Sequence, residues 1–351
     1  MNPQSILERH PDLYFADGDV VLAVKQTPKS DDSHERPKYH LFRVYKFLLK
    51  HYLTTFANFF ADANAAPTEV YDGVPLAQMH GDKAEDFALL LSYLYNPSSL
   101  VFRRRDPNTP RTVSGVIRLA DKYLIEPLHR RLVQQVCEDW PTALTDYDVN
   151  EAEIDALKDL PSKAADGLYP ISYLTDAIPE PISAIQFAQE FGCPQILRAA
   201  FYRLSLTPVT DYYLLRWPPE PLARLSALDK ENLLRYIHGC QMLSKYDPSV
   251  TAFMCDECGE PWNVEDPPVD SPCYRYIERV FEVTRDKSPS PTHGDPLRWL
   301  AKCFDSYKMP ELSKEHFPRG LCEECEQSFS CHLVTERQWI WDSLAKWFNL
   351  Q

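Results

Sequence analysis

The sequence predicts an α+β domain at the N-terminus, followed by an all-helical C-terminal region with a four-cysteine zinc site. Residues 39–44 alternate between two faces in the two-residue period of a strand, and apolar residues from 47 to 60 then recur at helical spacing. From residue 182 onward the apolar residues keep the helical period. Two Cys-x-x-Cys pairs, which together could supply four thiolates to one metal ion, lie in this second region.

The overall composition indicates an ordinary globular protein of two or three domains. The chain has 351 residues, of which 44% are hydrophobic and 25% are charged. Its net charge of −14 disfavours nucleic acid and anionic membrane as partners, because Lys and Arg clusters carry phosphate binding. The basic run at 103–105 is too short to reverse this, and we interpret it as a solvated loop or a strand edge.

The lack of targeting patterns and the number of cysteines together indicate the cellular compartment. No apolar run has transmembrane length, and residues 1–5 lack the pattern of a signal peptide. We therefore expect the cytoplasm, the nucleus or both, where the ten cysteines would be buried thiols or metal ligands and not disulfides.

Three strands and three helices are predicted over residues 19–95. The strands cover 19–24, 39–44 and 74–79, and a polar loop over 25–38 joins the first two. A helical pair follows over 47–60, and a helix opening at residue 82 or 83 ends at 95, before Asn-Pro. The residues predicted to face inward on these helices are Phe47, Leu48, Tyr52, Phe56, Phe59, Phe60, Phe87, Leu90, Leu91 and Leu94.

A short strand over 100–104 and two amphipathic helices over 112–124 and 127–140 complete the predicted domain. The helices have inward stripes of Val116, Leu119, Ala120 and Tyr123, and of Leu128, Leu132, Val136 and Trp140.

The order of elements resembles the BTB/POZ fold. Five stretches of the sequence also resemble those of a large set of fungal BTB-domain proteins. The stretches are DVVLAV at 19–24, FRVYKFLL at 42–49, DGVPL at 72–76, EDFALLLSYLYNP at 85–97 and LADKY at 119–123. Two positions depart from the family pattern: Tyr45 stands where the family usually has His, and Leu53 where it has Ser.

The resemblance implies a BTB/POZ domain over 1–141, and the stretch over 142–181, which is rich in Asp and Pro, is interpreted as a connector to a helical C-terminal domain over 182–351. Within the connector, residues 154–160 could form a short helix. The C-terminal domain has predicted helices on either side of Gly192-Cys193-Pro194, over 227–243, over 274–283, over 297–307 and over 329–348. Burial is predicted for Leu233, Leu234, Ile237 and Cys240, and for Trp341, Leu344, Trp347 and Phe348.

Four cysteines form the only pattern in the sequence that carries chemistry. Cys255 with Cys258, and Cys322 with Cys325, are Cys-x-x-Cys pairs, and two such turns can place four thiolates about 2.3 Å from a Zn²⁺ ion. A four-thiolate site is closed to substrate, so the zinc would be structural. The alternative to zinc coordination is that the four cysteines are free thiols.

A redox role for the two cysteine pairs is disfavoured, and other residues could replace one of the four cysteines as a metal ligand. The pairs enclose acidic residues, which raise the pKa of a thiol, whereas reactive thiols need positive surroundings. Cys273, Cys303, and Cys331 with His332 are possible substitute ligands, although each also suits a core or an exposed position.

Two classes of function follow. The resemblance implies a protein–protein interaction adaptor that self-associates or recruits a cullin-type ubiquitin ligase scaffold or a transcriptional co-regulator such as a co-repressor. The alternative is a zinc-containing enzyme. It is disfavoured because the sequence has no dinucleotide, phosphate-loop, Gly-x-Ser-x-Gly or His-Glu-x-x-His motif, and we expect no catalytic residues.

Overall fold

The computed structural model describes residues 5–27, 36–61, 69–163, 178–207, 223–246, 271–286, 295–308 and 320–350. These residues form a five-stranded mixed sheet and twelve α-helices, which confirms the predicted combination of a mixed sheet with many helices. The chain divides into two compact units. The N-terminal unit comprises Met1–Asp139 and Asp176–Pro179, and the C-terminal unit comprises Trp140–Thr175 and Glu180–Gln351. The predicted domain boundaries stay a prediction.

The sheet of the N-terminal unit consists of β1 Ile6–Tyr14, β2 Val20–Lys25, β3 Lys38–Val44, β4 Glu69–Tyr71 and β5 Val74–Met79. Their order in the sheet is β1-β3-β2-β5-β4. The central strand β2 runs antiparallel to β3 and parallel to β5, while β1 is parallel to β3 and β4 forms a hairpin with β5. The three predicted strands therefore share one sheet.

Strand β2 lies at the centre of the core. Its residues from Val20 to Val24 have no exposed surface, because both faces of the strand are covered. On one face Val21 and Ala23 pack with Leu41 and Leu76. An apolar run of this kind is typical of a strand buried on both sides.

Five helices complete the N-terminal unit. All the residues predicted to face inward on α3, α4 and α5 are buried, as is Trp140 just beyond them. The helical period was therefore a reliable guide to the core here. The helices are α1 Lys46–Tyr52, α2 Thr54–Ala61, α3 Ala84–Tyr95, α4 Thr109–Lys122 and α5 Glu126–Cys137.

The predicted inward stripe of the first helical pair is wrong in part. Phe47 is 73% exposed and Tyr52 is 51% exposed, whereas Leu49, Leu53 and Phe56 are buried. The reason is the break between α1 and α2, where Leu53 has extended backbone with φ −123°. A single buried stripe that assumes one continuous helix across α1 and α2 is therefore not preserved beyond the break.

Three further elements of the N-terminal unit differ from the prediction. Residues 100–104 form no strand and lead into a turn, so that predicted strand is wrong. Strands β1 and β4 were not predicted, because both lie at sheet edges and are largely exposed, which removes the apolar alternation.

The C-terminal unit is helical throughout its described residues. The predicted helix, break and helix around Gly192 are confirmed, and so are the helices predicted near 274–283, 297–307 and 329–348. The helices are α6 Leu144–Lys163, α7 Pro181–Glu190, α8 Leu197–Leu206, α9 Lys230–Lys245, α10 Pro272–Asp286, α11 Pro296–Ser306 and α12 Glu323–Trp347.

Helix α6 occupies much of the predicted connector and is longer than the short helix expected there. Tyr147 is buried and its ring lies 5.4 Å from that of Trp341 and 5.7 Å from that of Tyr202. Arg337 on α12 also forms an ion pair with Asp148. These contacts make α6 part of the C-terminal unit.

The predicted inward face of α9 is wrong. Leu233, Leu234 and Ile237 are 38%, 59% and 43% exposed, while Asn232 and Gly239 are buried. Two contacts fix this rotation of the helix. The amide of Asn232 pairs reciprocally with that of Gln189, at 2.8 and 2.9 Å, and Gly239 leaves room for the ring of Phe348.

Helix α12 buries the aromatic face that the sequence predicts. Trp341, Leu344, Trp347 and Phe348 are all less than 7% exposed. This confirms the interpretation that the face docks within its own unit.

Candidate metal centre

Three cysteine thiols meet where two helices of the C-terminal unit begin. Cys273 is the second residue of α10, Cys322 is the N-cap of α12, and Cys325 is the third residue of α12. Their sulfur atoms all lie within 4.8 Å of one another. A tetrahedral ion with bonds of about 2.3 Å would hold sulfur atoms about 3.8 Å apart, so a small closure completes the geometry.

Backbone N–H groups point at two of these sulfurs. The N–H of Cys322 donates to Sγ of Cys273 at 3.4 Å, and the N–H of Cys325 donates to Sγ of Cys322 at 3.5 Å. Such bonds stabilise thiolates, which are the form that binds metal. The chain enters the site through Gly320, whose φ of +61° lies in the left-handed region that glycine tolerates.

Two opposing electrostatic influences act at the site. The dipoles at two helix starts favour negative charge, and therefore favour thiolates. Glu323, Glu324 and Glu326 in the first turn of α12 act against additional negative charge. A bound cation relieves this repulsion, because it neutralises the thiolates next to the carboxylates.

An aromatic cluster forms a rigid support for the site. The ring of Phe281 on α10 lies 5.0 Å from that of Trp299 on α11 and 5.8 Å from that of Phe329 on α12. The hydroxyl of Tyr276 donates to the carbonyl of Tyr307 at 2.7 Å. The three helices are therefore packed together behind the helix starts that carry the thiols.

The structure brings together one predicted pair and one substitute ligand. Cys322 and Cys325 lie in the cluster, and Cys273 is the third member. Cys255 and Cys258 lie outside the described residues, so their role as ligands stays a prediction.

The other substitute ligands are not in this cluster. Cys303 is fully buried, and burial raises the pKa of its thiol to about 12. Cys331 is exposed and contacts Thr335, and His332 is half-buried with a pKa lowered by burial. Among the described residues, the cluster of potential metal ligands consists of the three cysteines alone.

The residues before Cys273 form a sequence pattern that is typical of a helix start. Ser271 and Pro272 precede it, and Ser followed by Pro is a typical start of a helix. Cys273 therefore occupies a first helical turn, as Cys325 does. Helix starts favour thiolates, but the last helix is predicted only from residue 329, so the sequence did not place Cys325 at a helix start as the structure does.

The chemistry available at this cluster is metal coordination. Three thiol groups that converge within 4.8 Å can hold a metal ion. No family model, curated protein or solved structure matches the chain. None of the helices in the described part of the chain has the length and apolar character needed to cross a membrane.

Proposed function

We propose that this chain is a protein-interaction adaptor of the BTB type, with a docking surface on its N-terminal unit and a structural zinc ion in its C-terminal unit. The sheet supports the first part of the proposal. Strands β2, β3 and β5 share one sheet, two helices connect β3 to the β4–β5 hairpin, and three helices follow. This is the order of elements that the resemblance implies.

The observation that carries the docking function is the exposed face of α1. Phe47 is 73% exposed and Tyr52 is 51% exposed, although both are large and apolar. Beside Phe47 is a cleft with a volume of 660 Å³, whose other walls include Lys46, Lys50 and His51. An aromatic side chain that is exposed beside a cleft, as Phe47 is, is typical of protein interfaces.

The start of α1 is held firmly enough to present this face. A carboxylate oxygen of Asp19 accepts the N–H of Lys46 at 2.6 Å, and the hydroxyl of Tyr95 accepts the N–H of Tyr45 at 3.0 Å. These bonds anchor the helix despite Tyr45 standing where the family has His. We propose that a second copy of the chain docks here, since the family's dimer contact commonly uses the first helix.

Sedimentation of the full chain tests this docking function. We expect self-association at high micromolar concentration, and we expect Phe47→Asp to abolish it by placing a charge in the interface. Val101→Asp is the matched control, because Val101 is 72% exposed, belongs to the same unit and does not line the cleft beside Phe47. A monomeric wild-type chain, or equal loss in both variants, would contradict the proposal.

The cellular role requires a partner, and the partner is part of the proposal. A cullin-type scaffold or a transcriptional co-repressor recovered by wild-type chain, but not by Phe47→Asp, would identify the pathway. Recovery that is equal for both variants would place the partner site elsewhere.

The zinc ion is proposed from the ligand chemistry of the cluster. Thiolates favour Zn²⁺, and a cysteine of the pair Cys255 and Cys258 would supply the fourth ligand. A four-thiolate site leaves no open position for substrate, which favours a structural role over the alternative of a zinc enzyme. The ion would join the starts of α10 and α12.

Metal analysis of the purified full chain tests the ligand set. We expect one zinc ion per chain, and loss of zinc in Cys273→Ser and in Cys322→Ser. Cys331→Ser is the control, because Cys331 is exposed and lies outside the cluster. Full zinc content in Cys273→Ser would refute its assignment as a ligand, and full content in Cys258→Ser would exclude that residue as the fourth.

A further inference from the structure

The thiol cluster of the candidate metal centre has the arrangement that disulfide formation needs. Cys273, Cys322 and Cys325 are thiols in the structure, and their sulfur atoms all lie within 4.8 Å of one another. A disulfide joins two sulfurs at about 2.0 Å, so a modest closure of one pair is sufficient. Metal binding and disulfide formation therefore compete for the same sulfur atoms.

Cys322 and Cys325 are the pair that bonds with the least change of backbone. Cys322 is the N-cap of α12 and Cys325 is its third residue, and residues three apart on a helix are neighbours on one face. The N–H of Cys325 donates to Sγ of Cys322 at 3.5 Å, which already holds that sulfur at the first turn. Cys273 lies on α10, so its bond to either partner would join two helices. The first turn of α12 is therefore the favoured place for a disulfide.

The burial of the three thiols sets the order in which an oxidant meets them. Cys322 is partly exposed, whereas Cys273 and Cys325 are only 4% and 1% exposed. A peroxide molecule from solvent therefore reaches Cys322 first. The helix start and the N–H of Cys325 favour negative charge on this sulfur, and the thiolate is the nucleophilic form of cysteine. Cys325 is then the buried neighbour that completes the disulfide.

We propose that hydrogen peroxide converts Cys322 and Cys325 to a disulfide, and that this oxidation releases the zinc ion. The inference rests on the proposed zinc site and names the regulation of that site. A disulfide removes two thiolates from the ligand set, and a structural ion is held by the full set. The start of α12 would then no longer be joined to the start of α10 through the metal.

The oxidation balances with hydrogen peroxide as the only oxidant. The thiolate of Cys322 attacks one peroxide oxygen, the O–O bond breaks, and a sulfenic acid and a hydroxide ion form. The thiolate of Cys325 attacks the sulfenic sulfur, the S–S bond forms, and the second oxygen leaves as hydroxide. In sum, two thiols and one peroxide give one disulfide and two water molecules. The zinc ion keeps its charge, because only sulfur is oxidised and only the peroxide is reduced.

Acidic residues limit the rate of this reaction without preventing it. Glu323, Glu324 and Glu326 lie in the first turn of α12 and disfavour negative charge on the neighbouring sulfur. The acidic surroundings therefore exclude a fast oxidoreductase, which needs a strongly activated thiolate. A switch needs only one oxidation by excess peroxide and a later reduction by a dithiol, which returns the two thiols and is itself oxidised.

Peroxide treatment of the purified, zinc-loaded full chain tests the proposal. A zinc indicator dye measures the released ion, and peptide mapping by mass spectrometry locates the disulfide. We expect one zinc ion to be released for each disulfide formed, the bond to join Cys322 and Cys325, and dithiothreitol with added zinc to restore both thiols and metal.

Three variants separate the roles of the cysteines. In Cys325→Ser we expect Cys322 to stop at the sulfenic acid, which dimedone traps. In Cys273→Ser the disulfide between Cys322 and Cys325 should still form, because Cys273 takes no part in it. Cys331→Ser is the matched control, since Cys331 is exposed on the same helix and lies outside the cluster, and its zinc release should equal that of wild type.

Three outcomes would overturn the proposal. They are zinc release without a disulfide, oxidation of Cys331 while Cys322 and Cys325 remain thiols, and a disulfide from Cys322 to any other cysteine.

The failure of this inference and the failure of the zinc proposal can be told apart. A chain that retains its zinc in excess peroxide would keep the metal site and refute the switch. A chain that is purified without zinc would refute the metal site, and the mapping of its disulfides would still show whether Cys322 and Cys325 are joined.

Discussion

The N-terminal unit and the C-terminal unit are stabilised by different kinds of contact. In the first, β2 buries a continuous apolar strand, and α3, α4 and α5 cover the core with aliphatic and aromatic side chains. In the second, a buried aromatic core is accompanied by directional contacts between partly buried polar groups. They include the amide pair of Gln189 and Asn232, the bond from Tyr202 to Asp295 at 2.7 Å, and the thiol cluster.

This difference has consequences for stability. An apolar core loses stability in proportion to the volume removed, whereas a polar contact that loses one partner leaves the other buried and unpaired. We therefore expect the N-terminal unit to depend on core volume, and the C-terminal unit to depend on hydrogen-bond geometry and on bound metal.

The largest effect of a single substitution is expected in the N-terminal core. Phe87 is fully buried and lies 5.7 Å from the ring of Phe42 and 6.2 Å from that of Tyr123. Phe87→Ala should lower the free energy of unfolding of this unit by about 3 to 5 kcal/mol. Denaturant titration measures the loss, and metal content should be unchanged. A fall in metal content would show that the two units are not separately stabilised.

A smaller effect is expected where a helix of the C-terminal unit approaches an aromatic ring. A β-carbon at Gly239 would overlap the ring of Phe348, which is fully buried. Gly239→Ala should destabilise the C-terminal unit by about 1 to 3 kcal/mol through overpacking. Gly115→Ala is the comparison in the N-terminal unit, because the overlap there is with the carboxyl end of Asp86, which can rotate away. Equal losses in the two variants would contradict this account.

Asp139 should make the stability of the N-terminal unit depend on pH. Burial raises the pKa of Asp139 from 3.8 to about 6. The folded state therefore holds a proton between these values that the unfolded state releases, so the contribution of Asp139 to stability is greatest below about pH 4 and is lost as the pH rises through 6. Asp139→Asn should remove this slope and stabilise the unit by about 2 kcal/mol at pH 7.5. Denaturation series across pH would detect it, and an unchanged slope would exclude Asp139 as its source.

The smallest effect separates two buried tyrosines of the C-terminal unit. The hydroxyl of Tyr147 is buried and makes no hydrogen bond with a described residue, while that of Tyr202 donates to Asp295. Tyr147→Phe should raise the free energy of unfolding by about 1 kcal/mol, and Tyr202→Phe should lower it by about 1 to 2 kcal/mol. Thermal unfolding of the two variants gives the comparison. Shifts of the same sign would mean that burial alone decides the effect.

Sequence periodicity predicted the N-terminal unit well where apolar contacts decide the structure. Phe87, Leu90, Leu91 and Leu94 on α3 are buried as expected, because one strong stripe lies on one uninterrupted helix. The prediction failed at Phe47, where a helix break rotates the stripe. It also missed β1, which is exposed and contains Pro11.

The C-terminal unit was harder to predict because its contacts join residues that are distant in the sequence. The rotation of α9 is set by Asn232 and Gly239, which meet Gln189 and Phe348, and no local pattern shows such pairs. Cys273 meets Cys322 across 49 positions in the same way. The spacing of Cys322 and Cys325 was visible in the sequence, and Cys273 was predicted as one of several possible substitute ligands, but no local pattern showed that it meets this pair.

Hydrogen exchange on the full chain, before and after treatment with a zinc chelator, tests the contrast between the units most directly. We expect chelation to increase exchange strongly in α10, α11 and α12 and to leave β2, β3 and α3 protected, because the proposed metal ion would join the starts of α10 and α12. Unchanged protection of α10 and α12 in a chain shown to have lost its metal would contradict the account.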